Sequence, residues 1–261
     1  MAVVKYGINR NMYEWVSHRW NPIRGRCPYQ CSYCYMKRWK NTLDFPMLHV
    51  EDLKDDLGQA RVIFVGTGID MFAVGISSDW ILAVLSHVAQ YPDNVYIFQT
   101  KNPERYHLFM DLMPANCILG TTIECEYATD FSCAPSAAER AFEMGRLSVY
   151  KDEGIVRKTF VTVEPVIRPR SMDVMVALLE MAEPDFVNIG ADSGNNKLPE
   201  PDHEDLILFI KRVEKFAHVW IKDNLSRILE EPYSLVACNK ATAKATVCNK
   251  ATAKLTKESV K

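Results

Sequence analysis

Cys27, Cys31 and Cys34 fall within eight positions of one another in "RCPYQCSYCYMKRW" (26–39). Thiols this dense can stay unligated, hold zinc, or hold an iron–sulfur cluster. A polar, aromatic stretch is a poor place for unligated packing thiols, which prefer apolar surroundings. Structural zinc wants four ligands, usually as two C-x2-C-like pairs. Here the spacing is C-x3-C-x2-C with no second pair at the usual distance, so His18 or His49 would have to complete a zinc site. A [4Fe–4S] cluster normally takes four thiolates. Three would leave one iron open to a small ligand, as catalytic zinc keeps a position open for its substrate.

The rest of the chain limits these choices. Its 261 residues are 48% hydrophobic and 25% charged, enough for one large α/β domain or two small ones. A formal net charge of −2 and a pI near 6.3 make no global case for nucleic-acid binding. No stretch is long and apolar enough to cross a membrane, and the opening "MAVVKYGINRNMYEW" lacks the layout of a secretory signal. The expectation is a cytoplasmic chain whose eight cysteines are mostly reduced, which favours a metal or catalytic role for any cluster of them.

The elements that must position such a loop are legible as an alternation. Short apolar runs at 61–66, 94–100, 117–124, 158–165, 185–192 and 218–223 read as buried strands. Between them, 78–91, 103–113, 135–150, 171–182 and 202–216 read as helices, with Ser78 and Asn102 as suggested starts. This pattern predicts a parallel sheet with helical crossovers, either a partial barrel or an open sheet. Six or seven units fall short of a full barrel. Polar residues gather just after the strands, at the edge where such sheets bind ligands: Asp70, Lys101, Glu124, Glu164, Asp192 and Asp223.

The C-x3-C-x2-C pattern with Tyr33 before its last cysteine resembles the radical S-adenosylmethionine (radical SAM) superfamily. More narrowly, "WNPIRGRCPYQCSYCY" (20–35), "IFVGTGIDMF" (63–72), "FQTKNPERY" (98–106), "LGTTIE" (119–124), "FVTVEPVI" (160–167), "VNIGADSG" (187–194) and "IKDNL" (221–225) resemble the phage-type Gp37/Gp68 family. The resemblance implies an α/β fold of the partial (β/α)6 TIM-like barrel type, with "YEWVSHRW" (13–20) as its first strand. It also implies a [4Fe–4S] cluster on Cys27, Cys31 and Cys34, with SAM bound to the open iron. Reductive cleavage of SAM would then yield a 5′-deoxyadenosyl radical, with flavodoxin or ferredoxin as reductant.

Resemblance assigns Gly66, Thr67 and Asp70 of "GTGID" to the methionyl part of SAM, against an ordinary tight strand-to-helix turn with Asp70 capping or solvated. Thr122 and Glu124 stand where ribose hydroxyls would be met, and an exposed loop Glu is the competing reading. Gly190 would let backbone approach the adenine, with Asp192 as a polar contact. Tyr33 joins the cofactor-binding set. Gln99 and Lys101 would meet the SAM carboxylate or the substrate, and Lys101, Glu164 and Lys222 are the candidate catalytic residues. As a set converging on one mouth they read as a polar active site.

Cys117, Cys125 and Cys133 match no compact iron–sulfur spacing and read as core or loop thiols. The end of the chain differs: "CNKATAKAT" (238–246) recurs as "CNKATAKLT" (248–256), and 238–261 holds six lysines and one acid. Residues 1–235 therefore read as the barrel domain and 236–261 as a basic, flexible extension. The phage-like resemblance and this extension tilt the substrate towards a nucleobase, nucleotide or nucleic acid. The alternative is a non-catalytic zinc protein that interacts with nucleic acid.

Overall fold

The computed structural model describes residues 3–5, 13–38, 43–154, 156 and 158–229, so the basic extension lies outside the described residues. Ten strands occur among them: β1 (Val4–Lys5), β2 (His18–Trp20), β3 (Ile23–Arg24), β4 (Met47–Leu48), β5 (Val62–Val65), β6 (Val95–Thr100), β7 (Cys117–Thr122), β8 (Lys158–Val163), β9 (Phe186–Ile189) and β10 (His218–Ile221). The helices are α1 (Ser78–Val88), α2 (Glu104–His107), α3 (Ala137–Gly145), α4 (Ser148–Asp152), α5 (Met172–Met181), α6 (His203–Val213) and α7 (Ser226–Leu229).

Eight strands form one sheet in the order β1-β2-β5-β6-β7-β8-β9-β10, and β3 pairs with β4 in a small separate ribbon. From β2 to β10 every pairing is parallel, while β1 runs antiparallel on β2. The edge strands β1 and β10 do not pair, so the barrel is partial. Each step from β5 to β10 carries at least one helix in its crossover, as parallel pairing requires. The step from β2 to β5 carries the cysteine loop and the β3–β4 ribbon instead.

Alternation along the strands sorts two cores. Tyr96, Phe98, Leu119, Val161 and Val187 face the helices in the larger core. Val95, Ile97, Ile118, Phe160 and Phe186 point the other way and fill the barrel floor with Tyr13 and Trp15. Phe160 stacks on Phe186 at 5.3 Å, and Tyr13 on Trp15 at the same separation. Gly120 is required there: a Cβ on it would lie 2.3 Å from the Phe160 ring.

β2, the first of the parallel strands, begins at His18 rather than residue 13. Trp15 and Val16 are adjacent yet both pack into the floor, which an alternating strand would not allow, and the Val16 N–H donates to the Tyr13 carbonyl at 3.0 Å in a turn. The expected helix 135–150 is broken into α3 and α4 at Arg146 and Leu147. Ser77 rather than Ser78 caps α1, accepting from the Asp79 N–H at 3.2 Å. Asn102 is not the cap of α2; its buried side chain donates to the Phe72 carbonyl at 3.3 Å.

Candidate active site

The inward line of each strand turns polar as it climbs. Above the aromatic floor come Thr122, Thr162 and Asn188 in matching register, and one pleat higher come Glu124, Glu164 and Gly190; on β6 the same inward line carries Gln99, in register with Gly120, and then Lys101. Tyr13 links floor and rim: its hydroxyl donates to Gln99 Oε1 at 2.8 Å and lies 2.6 Å from Thr162 Oγ1. Gln99 in turn donates to Thr122 Oγ1 at 2.9 Å.

The cysteine loop is laid across this mouth. The Ser32 N–H donates to the Phe131 carbonyl at 2.8 Å and the Cys133 N–H to the Tyr29 carbonyl at 2.9 Å, fastening the loop to the segment after β7. The Tyr35 hydroxyl donates to the Thr67 carbonyl at 2.6 Å, and Arg38 reaches the Ser193 carbonyl at 3.4 Å after β9. Tyr33 donates to the Glu124 carboxylate. Cys27, Cys31 and Cys34 are all free thiols. Burial, then the nearby Asp70 charge, pushes the Cys27 thiol up to about 12, and burial also raises Cys34; both feel the charge of Cys31.

Among the described residues no group of three or more His, Cys, Asp and Glu side chains is arranged to hold a metal ion. Nor is a zinc set with a histidine in place: His18 Nδ1 lies 2.8 Å from Ser17 Oγ, and His49 Nδ1 lies 3.3 Å from Arg24 Nη1. A polynuclear cluster spreads its ligands over several metals rather than converging them on one point. Three mutually influencing free thiols, on one loop over the strand ends and beside the Lys101 ammonium, fit that chemistry. Metal coordination would deprotonate thiols that burial otherwise keeps neutral.

Around the loop the candidate residues separate into groups. Gly66 adopts φ +80° and donates to the Trp20 carbonyl at 2.9 Å, a backbone position suited to glycine. Thr67 donates through its N–H and its hydroxyl to Asn21 Oδ1, at 2.7 and 3.1 Å. Asp70 accepts from the Phe72 N–H at 3.0 Å and the Lys101 N–H at 2.7 Å, so its carboxylate braces two turns from within. Asp192 caps its own turn, accepting from the Gly194 N–H at 2.8 Å and the Asn196 N–H at 2.5 Å. A Cβ on Gly190 would meet the Glu164 carboxylate at 2.7 Å, so a side chain already accounts for the close approach there.

Two ion-paired groups occupy the rim. In one, Lys101 and Arg140 both donate to Glu124, Arg140 at 2.8 Å, and Tyr33 adds its hydroxyl. Burial pushes Lys101 down to about 8, against the attraction of Cys31 and Asp70. In the other, Glu164 accepts from Lys222 at 2.6 Å and from Asn224 at 3.1 Å.

Sequence reasoning missed Arg140, Asn21 and Asn224. Arg140 did leave a signal. It shares with Ala137, Ala141 and Met144 the buried face of α3, a charge inside an apolar stripe of helical period. Such a charge needs a buried partner, which is Glu124.

Solved structures of spore photoproduct lyase share this architecture. A cysteine-to-serine variant aligns with a TM-score of 0.58 at 12% identity, over 84% of this chain and 81% of that one. Spore photoproduct lyase complexed with dinucleoside spore photoproduct gives 0.58 at 11% identity, over 81% and 78%. A double variant with bound AdoMet and dinucleoside spore photoproduct gives 0.53 at 12% identity, over 79% and 64%. At such identities the likeness is one of fold, and the fold is the expected partial barrel of radical SAM type. No curated protein matches the chain significantly. A family model described as "Protein of unknown function (DUF5131)" matches residues 10–207, and the chain belongs to that family.

Proposed function

We propose that this chain is a radical SAM enzyme, with Cys27, Cys31 and Cys34 holding a [4Fe–4S] cluster and SAM lying across the adjoining strand ends. The observation that carries this reading is one loop of three free thiols clamped over the C-terminal mouth of a parallel partial barrel. The fold likeness supports it, because a neighbour of that fold holds AdoMet. When bound, the cluster would supply the electron that cleaves SAM into methionine and a 5′-deoxyadenosyl radical.

The chain's own residues bind, orient and exclude water. The Gly66–Thr67 turn, tied by Asn21 to the start of the cysteine loop, presents backbone beside the thiols for the methionyl part of SAM. Tyr13, Gln99, Thr122 and Thr162 close the bottom of the cavity with a satisfied hydrogen-bond chain over an aromatic floor, which keeps bulk water from below. Glu164, Lys222 and Asn224 stand on the side away from the cysteine loop, where a substrate would be held and a proton accepted or donated. The substrate class we favour is a nucleobase, nucleotide or nucleic acid, with a flavodoxin- or ferredoxin-like reductant. A fold neighbour complexed with a dinucleoside photoproduct supports that choice.

Anaerobic reconstitution, iron and sulfide analysis, EPR of the reduced protein with and without SAM, and assay of 5′-deoxyadenosine test the proposal. About four irons per chain, a signal perturbed by SAM, and 5′-deoxyadenosine formation are expected. Zinc in place of iron, or a cluster indifferent to SAM, overturns it.

A further inference from the structure

Beneath the cysteine loop two cations share one carboxylate. Lys101 and Arg140 both donate to Glu124, and the Arg140 and Glu124 side chains are 0% and 1% exposed. Asp70, the other acid nearby, is engaged by the backbone N–H groups of Phe72 and Lys101. Arg140 Nη2 is buried with no hydrogen-bond partner among the described residues. Lys101 brings positive charge up to the loop. Its ammonium donates to the hydroxyl of Tyr33, which stands between Cys31 and Cys34 in the sequence, and lies 4.8 Å from the centre of the Tyr33 ring.

We propose that Lys101 is a positioning residue for the cysteine loop: held by Glu124 and Tyr33 under the thiols, its ammonium raises the reduction potential of the iron–sulfur cluster bound there. The inference rests on the radical SAM reading above. Reduction adds one electron from an external one-electron donor, with no bond made or broken. A cation close to the ligand sulfurs favours the more negative state, and a water-poor site strengthens the effect. Glu124 opposes this, because its carboxylate partly cancels the cation it holds.

The test is an EPR-monitored dithionite titration of anaerobically reconstituted wild-type, K101M, K101R, E124Q and Y33F proteins, each with its iron and sulfide counted. The K101M midpoint is expected below that of wild type and the E124Q midpoint above it. K101R and Y33F, which keep the charge, are expected near wild type. Loss of packing cannot move two partners of one ion pair in opposite directions. Should K101M load poorly, E124Q against K101R carries the sign. Equal midpoints throughout, or shifts of one sign in K101M and E124Q, overturn the inference while leaving the enzyme reading intact. A wild-type protein that takes up no iron overturns that reading, and the inference with it.

Discussion

Glu124 and Glu164 end neighbouring parallel strands in matching register, and each accepts a hydrogen bond from a lysine at the end of another strand. Their surroundings separate them. Glu124 is 1% exposed, set between two cations and a phenol that belongs to the cysteine loop. Glu164 is 18% exposed, and it accepts from Lys222 and from the neutral amide of Asn224. One half of the rim is therefore a closed support and the other half keeps partial exposure. The same residue types at the same height are buried where the cysteine loop contacts them directly and stay partly exposed where it does not.

This contrast is broken most severely by Arg140→Met. Removing one partner of a buried ion triad leaves Glu124 under-compensated, and a loss of about 3–5 kcal/mol is expected in urea or guanidinium unfolding. A loss below about 1 kcal/mol would show that the closed half is no such support. Gly120→Ala acts on the floor beneath both halves, where the Phe160 ring blocks any Cβ. Overpacking by one methyl is expected to cost about 1–3 kcal/mol, read as a lowered midpoint of thermal or chemical unfolding. Tyr33→Phe removes two hydrogen bonds between loop and support, to Glu124 and from Lys101, each worth about 1 kcal/mol. Its signature is faster amide exchange confined to the loop.

Glu164→Gln sharpens the contrast from the open side. The amide oxygen can still accept from Lys222, so stability should change by less than about 1 kcal/mol. Formation of 5′-deoxyadenosine in the reconstituted protein is instead expected to fall about tenfold or more, because geometry at the cavity is disturbed. A stability loss as large as that of Arg140→Met, with turnover unchanged, would reverse the roles assigned to the two halves.

Much of the fold was legible because local chemistry dictates it. The runs 94–100, 117–124 and 158–165 are short, β-branched or aromatic and flanked by breakers, and each proved to hold a strand buried on both faces, ending at Thr100, Thr122 and Val163. Boundaries were less legible. Residues 13–17 have strand-like composition, yet Tyr13 and Trp15 fold into the floor because the space between Phe64, Phe160 and Phe186 demands large rings. The cysteine loop was visible as spacing alone. The partners that brace it were not, because Arg140 stands 16 residues beyond Glu124 and Lys101 23 before it, and only the sheet brings them together.

The sequence by itself determined the strand–helix alternation, the three-thiol loop and the resemblance these carry, since each depends on residue type and short-range spacing. Only the tertiary structure decided which acids brace the mouth and which face into it. Asp70 turns to backbone amides, Glu124 closes against two cations and Glu164 stays at the cavity edge. Burial and charge pairing set those roles, and both are properties of the packed strands rather than of any one segment.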